Sequence, residues 1–116
     1  MAEATRTEVA GRCYRHVWNL TTADATGASI SIPGASDRTV QLVGTNWGGA
    51  TCVLEGSCEE TPATWFNLTD PQGNAISKTA DAGEAVFENT VHIRPRLSVA
   101  GSAAVIQVVL VSRSTK

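Results

Sequence analysis

The 116-residue chain sets nine Lys and Arg against eleven Asp and Glu, a formal net charge of -2, with 42% apolar residues. That length suits one domain burying roughly 65% of its extended surface, and the acidic balance speaks against direct nucleic-acid coating, which needs a cationic excess. No segment approaches the roughly 18 apolar residues of a membrane span, and the opening MAEATRTEVAGR lacks a signal-peptide core, so synthesis in the cytoplasm and no membrane partner are expected.

Residues 1–12 are small, polar and charged without periodicity, the composition of a flexible N-terminal arm, and the folded domain is expected over 13–116. Tyr14, His16, Trp18 and Leu20 alternate with Arg15, Val17 and Asn19, which predicts a first strand with Trp18 in the core. Ala28 to Ile32 predicts a second, stopped by Pro33-Gly34. Val40 to Gly44 and Cys52 to Gly56 predict two more around a hairpin loop, Thr45-Asn46-Trp47-Gly48-Gly49. Thr64 to Thr69 predicts a strand ending at the turn Asp70-Pro71-Gln72-Gly73-Asn74, with short strands over Ala75 to Thr79 and Glu84 to Glu88.

Val91 to Val99 alternates most clearly, with Val91, Ile93, Pro95, Leu97 and Val99 against His92, Arg94, Arg96 and Ser98. Pro95 cannot donate to a ladder, so an edge or a bulge is expected there. Ala103 to Val111 is apolar on both faces, with Val105, Val109 and Val111 on one. That pattern suits a central covered strand or one completed by another subunit. No window shows a capped helical stripe, and eight or nine short strands between Gly, Pro, Asn and Asp turns predict an all-β fold: a single antiparallel β-sandwich, jelly-roll-like, whose strand order the pattern does not give.

Three cysteines, Cys13, Cys52 and Cys58, cannot all pair within one chain; free thiols are expected, with Cys52 and Cys58 the best disulfide candidates. Without C-x-x-C or Cys/His spacing no metal or other cofactor is expected. Glu59-Glu60 looks like a solvated turn, and His16 and His92 have no nucleophile at catalytic spacing, so no enzymatic role is expected. The sequons at Asn19 and Asn67 fall in predicted strands.

Two features suit partner binding. His92, Arg94 and Arg96 place three potential cations about 7 Å apart on one strand face, able to grip acidic surfaces or, as the plainer alternative, to protect an exposed edge. Trp47 in its glycine loop suits an interface anchor or a sugar-stacking platform, or else caps the sandwich end. Trp65 is ambiguous by one register step.

The string VQLVGTNWGGATCVLEGS, then Thr64-Trp65-Phe66, LTDPQGN and, after Glu88-Asn89, HIRPRLS with a final apolar strand, resembles the jelly-roll capsid cement, or decoration, proteins of tailed bacteriophages. The likeness covers Val40 to Arg113; SCEETPAT stands where related sequences carry a shorter aspartate-glycine turn. It implies a non-enzymatic virion protein on the outer capsid surface, cementing neighbouring major-capsid subunits against internal pressure and acting as a homo-oligomer, dimer favoured and trimer possible. The interface residues expected on this reading are His92, Arg94, Arg96, Trp47, Val105, Val109 and Val111, with residues 1–12 as a clamp. The other reading is a carbohydrate- or receptor-binding module of a tail fibre, stacking a sugar on Trp47 or Trp65.

Overall fold

A strand with one apolar face needs a second layer to cover it, and the computed structural model, which describes residues 1–114, supplies that layer with two antiparallel sheets. One sheet holds β1 (Thr5–Ala10), β2 (Cys13–Thr21), β10 (Val105–Arg113), β4 (Asp37–Asn46) and β8 (Ala82–Val86), in that order. The other runs β3 (Ile30–Ser31), β9 (His92–Val99), β5 (Thr51–Ser57) and β6 (Phe66–Asn67), with β7 (Ser77–Lys78) also pairing β5. With β1 set aside, consecutive strands from β2 onward alternate between the sheets as in a jelly roll, except that β5, β6 and β7 stay together in the second. The expected domain's last two positions, 115 and 116, lie outside the described residues.

The inward faces carry the predicted alternation. Trp18 and Leu20 on β2, Val40 and Leu42 on β4, and Ile106, Val108 and Leu110 on β10 meet Cys52 and Leu54 on β5 and Ile93 and Leu97 on β9. Trp18 donates its indole N–H to the Ala28 carbonyl at 2.8 Å, which ties the β2–β3 connection to the core. Gly27 passes between Trp18 and Pro95 so closely that a Cβ there would come within 2.7 Å of the proline ring.

Three expectations need correction or completion. The first twelve residues are an ordered part of the sandwich: β1 pairs β2 from Thr5↔Val17 to Ala10↔Cys13, and Ala2 is buried, its amide donating to Thr26 and its carbonyl accepting from Ala28. All six β1 side chains are exposed, so backbone pairing builds this strand and leaves no apolar rhythm to read. β10 is central, paired along its length with β2 and β4, and needs no other subunit to complete it. Pro95 is buried inside the sheet, opposite Leu54 on β5. It is tolerated because β3 covers only the start of β9; beyond it, loop residues take over, with Gly27 N–H donating to the Pro95 carbonyl and Leu97 N–H to that of Ala25.

Candidate functional site

The basic row lies on the outward face of β9, and the register with β5 decides what it can do. Glu55 stands directly opposite Arg94, with Arg96 one step along. Its carboxylate is 5% exposed and accepts from Arg94 Nε at 3.1 Å and from both Nε and Nη2 of Arg96 at 3.1 Å. The other side of the Arg94 guanidinium lies 4.1 Å from the centre of the Trp65 ring. The row is therefore not three free cations: two of them share one buried carboxylate, and the pair with Glu55 carries one net positive charge. His92 turns aside, its Nε2–H donating to the Glu60 carbonyl at 3.1 Å.

The SCEETPAT loop holds Trp65 in that place. Glu59 Oε1 accepts from the Thr64 amide at 2.6 Å, the Ala63 amide at 2.9 Å and the Ser57 hydroxyl at 3.2 Å, and those amides above all hold its carboxyl below the usual range. The adjacent carboxylates are thus a loop anchor and a solvated neighbour. Glu55 and Glu59 escape sequence reasoning as partners because the first depends on strand register and the second on a loop closing over six residues.

Trp47 performs the capping role. Its Nε1–H donates to Asp81 Oδ1 at 2.7 Å, the same oxygen accepts the Gly44 amide at 2.8 Å, and these bonds lower the Asp81 carboxyl pKa, the Gly44 amide contributing most. The ring lies on Gly44, where a Cβ would approach Nε1 to 2.5 Å, and packs against the core. Gly48 and Gly49, at φ 55° and 80°, reverse the chain beside it.

Val105, Val109 and Val111 point away from the core on β10, the middle strand of the β1-β2-β10-β4-β8 sheet. Register sets Val109 between Val17 and Gln41, Val111 between Arg15 and Thr39, and Gln107 between Asn19 and Val43. Val43, Val105 and Val111 are 39%, 47% and 37% exposed, whereas Val109 is almost covered by its neighbours. Charge on these three strands' outer face is confined to one end, at Arg15 and the exposed Arg113–Asp37 pair. The rest of that face is valine, threonine, glutamine and asparagine.

Cys13, Cys52 and Cys58 are free thiols, and no group of three or more His, Cys, Asp or Glu side chains among the described residues could hold a metal ion. No helix among the described residues is long and apolar enough to cross a membrane.

No family model matches the chain, and no curated protein matches it. Among solved structures, the Schizosaccharomyces pombe Cnp3 cupin domain aligns over 97% of this chain and 61% of its own, at TM-score 0.47 and 9% identity. The K1 cleaved adhesin domain of Lys-gingipain from Porphyromonas gingivalis aligns over 99% of this chain and 85% of its own, at TM-score 0.44 and 10% identity. The K3 adhesin domain of the same protein aligns over 86% and 73%, at TM-score 0.41 and 12% identity. This chain spans about three fifths of the cupin structure's length. At such scores and identities these likenesses carry no argument about function.

Proposed function

We propose that the chain is a structural virion protein of the cement type, which binds the outer surface of a bacteriophage capsid and bridges neighbouring major-capsid subunits. The observation that carries this reading is the open face of the β10-centred sheet around Val43, Val105, Val109 and Val111. Five strands about 4.8 Å apart and up to ten residues long present roughly 20 by 30 Å, approaching the ~800 Å² that one partner contributes to a stable interface. Its centre is uncharged and β-branched, so docking there desolvates few ions and freezes little side-chain freedom. The WGGAT, LEGS and HIRPRLS motifs that resemble cement proteins build the loop and strands that hold this sandwich in shape.

Repetition around a shell would give slow release even from modest single contacts. The ordered β1 strand gives the face a lateral edge on which a second copy can pair, consistent with a homodimer. The sugar-binding reading has less support, because the Trp47 indole is committed to Asp81 and Gly44, and one Trp65 face is occupied by Arg94.

The test is sedimentation with shells assembled from phage major capsid protein. Stoichiometric pelleting and a raised shell melting temperature are expected, with both lost in the Val105→Lys/Val111→Lys double variant. Pelleting by the double variant as strong as that of the parent chain would move the contact elsewhere, and no association of the parent chain would end the proposal.

A further inference from the structure

At the side of the sandwich where β1 borders one sheet and β3 the other, the two layers part around a cleft of about 250 Å³. Arg6, Tyr14 and His16 line it from the first sheet; Ser31 of β3 and Ile32, Gly34 and Ala35 of the β3–β4 connection line it from the other side. A 150 Å³ apolar cavity already accepts benzene, so this one has room for a small organic molecule.

Three observations give the cleft its chemistry. His16 is 4% exposed, and its Nδ1 is buried without any hydrogen-bond partner. Buried polar atoms are almost always satisfied, whereas the His16 ring borders the cleft with one hydrogen-bonding group unused. Arg6 carries its guanidinium 4.1 Å over the Tyr14 ring and, among the described residues, forms an ion pair with no carboxylate; Glu8 on the same strand does not reach it. Behind the cleft wall, buried Arg38 donates to the carbonyls of Ile32 at 3.0 Å and Ala35 at 2.8 Å, and all its acceptors are neutral oxygens. Two guanidinium charges without a carboxylate thus flank one small cavity, and its potential favours an anion.

Beyond these groups the wall is formed by the apolar Ile32, Ala35 and Tyr14 ring, with Gly34 and the polar Ser31 completing it. Among the described residues Arg6 is the one charged group at the lining and balances a single negative charge on an apolar body, whereas a doubly charged phosphate would keep one charge without a counterpart there. We propose that the cleft binds a small organic monocarboxylate, its carboxylate against Arg6 and His16 and its body against Ile32, Ala35 and Tyr14. This assignment is independent of the capsid reading, since the cleft lies between the sheets and away from the outer valine face.

Titration with sodium benzoate, followed by the ¹⁵N resonances of the His16 ring and Arg6 Nε, tests it. A saturable shift of both is expected, at least tenfold weaker in Arg6→Gln, the loss of one charge-assisted hydrogen bond, and largely kept in Arg6→Lys. Arg6 is exposed on an edge strand, so both variants should retain the parent amide spectrum outside β1 and β2. Absence of a saturable benzoate shift, an Arg6→Gln variant that binds as tightly as the parent, or a response to inorganic phosphate alone would each overturn the proposal.

Discussion

Arg38 occupies an inward position of β4 that alternation reserves for an apolar side chain, and it is 2% exposed. Its guanidinium donates to the carbonyls of Ala35, Ile32 and Thr90 at 2.8 to 3.0 Å, with longer contacts to the Thr90 hydroxyl and the Glu88 carbonyl. One side chain thus joins two loops at the end of the sandwich. Burial lowers its pKa, yet an arginine remains charged. Arg38→Met keeps the stem and strands the carbonyls, so urea unfolding should show a loss of about 3 kcal/mol; Arg38→Lys, with a single nitrogen, should recover less than half. His16 makes a separate, pH-dependent contribution: burial first and the Arg6 charge second depress its pKa below 6.5. Between 6.5 and that lower value the unfolded chain binds more protons than the folded one, so stability is full above 6.5 and declines as pH falls. Asp81 and Glu59, held below 3.8 and 4.5, act in a lower window. Stability measured from pH 7 to 5 should slope in the parent and flatten in His16→Gln; an unchanged slope would assign it to another group. Thiol labelling tests the core directly: burial pushes the Cys52 thiol up to about 12, so exposed Cys58 should react first, half-buried Cys13 next, and Cys52 only on unfolding.

Among the strands, β10 and β1 mark the extremes of security. β10 is paired on both flanks over nine residues and buries Ile106, Val108 and Leu110, so opening it disrupts the whole sheet. β1 is an edge strand whose six side chains are all exposed, held by one ladder and by buried Ala2. Native-state hydrogen exchange should therefore protect β10 amides to the global unfolding free energy and release those of β1 at far lower cost. Equal protection in both would mean that β1 is bonded into the cooperative unit more deeply than its burial indicates. The same contrast explains what was legible in the sequence. β2, β4 and β9 announce themselves because one face of each is buried, which writes apolar alternation into residues such as Tyr14 to Leu20, and β10 does so as a segment apolar on both faces. β1 buries nothing along its length and leaves only a polar string. β5 is covered on both sides, and its outward Glu55 could not be matched to Arg94 and Arg96 because register between strands far apart in sequence depends on the completed fold. Trp47 was visible as a special loop residue, but its partner Asp81 lies 34 positions away.

For the whole molecule, the two outward sheet faces offer different physics to a partner, and salt separates them. The β9 side presents Arg94 and Arg96 already neutralised in part by Glu55, with side chains 21% and 35% exposed. Any docking there would rest on residual positive charge, which added salt screens over a Debye length of about 10 Å at 0.1 M and 3 Å at 1 M. The β10 face offers uncharged valines, and burial of apolar surface does not weaken as ionic strength rises. If the proposed capsid contact uses the valine face, the fraction of chain pelleting with shells should hold constant or rise between 0.05 and about 1 M sodium chloride. Arg94→Ala/Arg96→Ala should then affect folding more than binding, because it leaves Glu55 buried and unpaired; a loss of several kcal/mol in unfolding free energy is expected beside near-parent pelleting of the folded fraction. Pelleting that collapses with salt, together with loss of binding in the folded arginine variant, would transfer the contact to β9. The net charge of -2 sharpens the comparison, because a weakly charged chain exerts little long-range steering, so the salt response reports the contact itself.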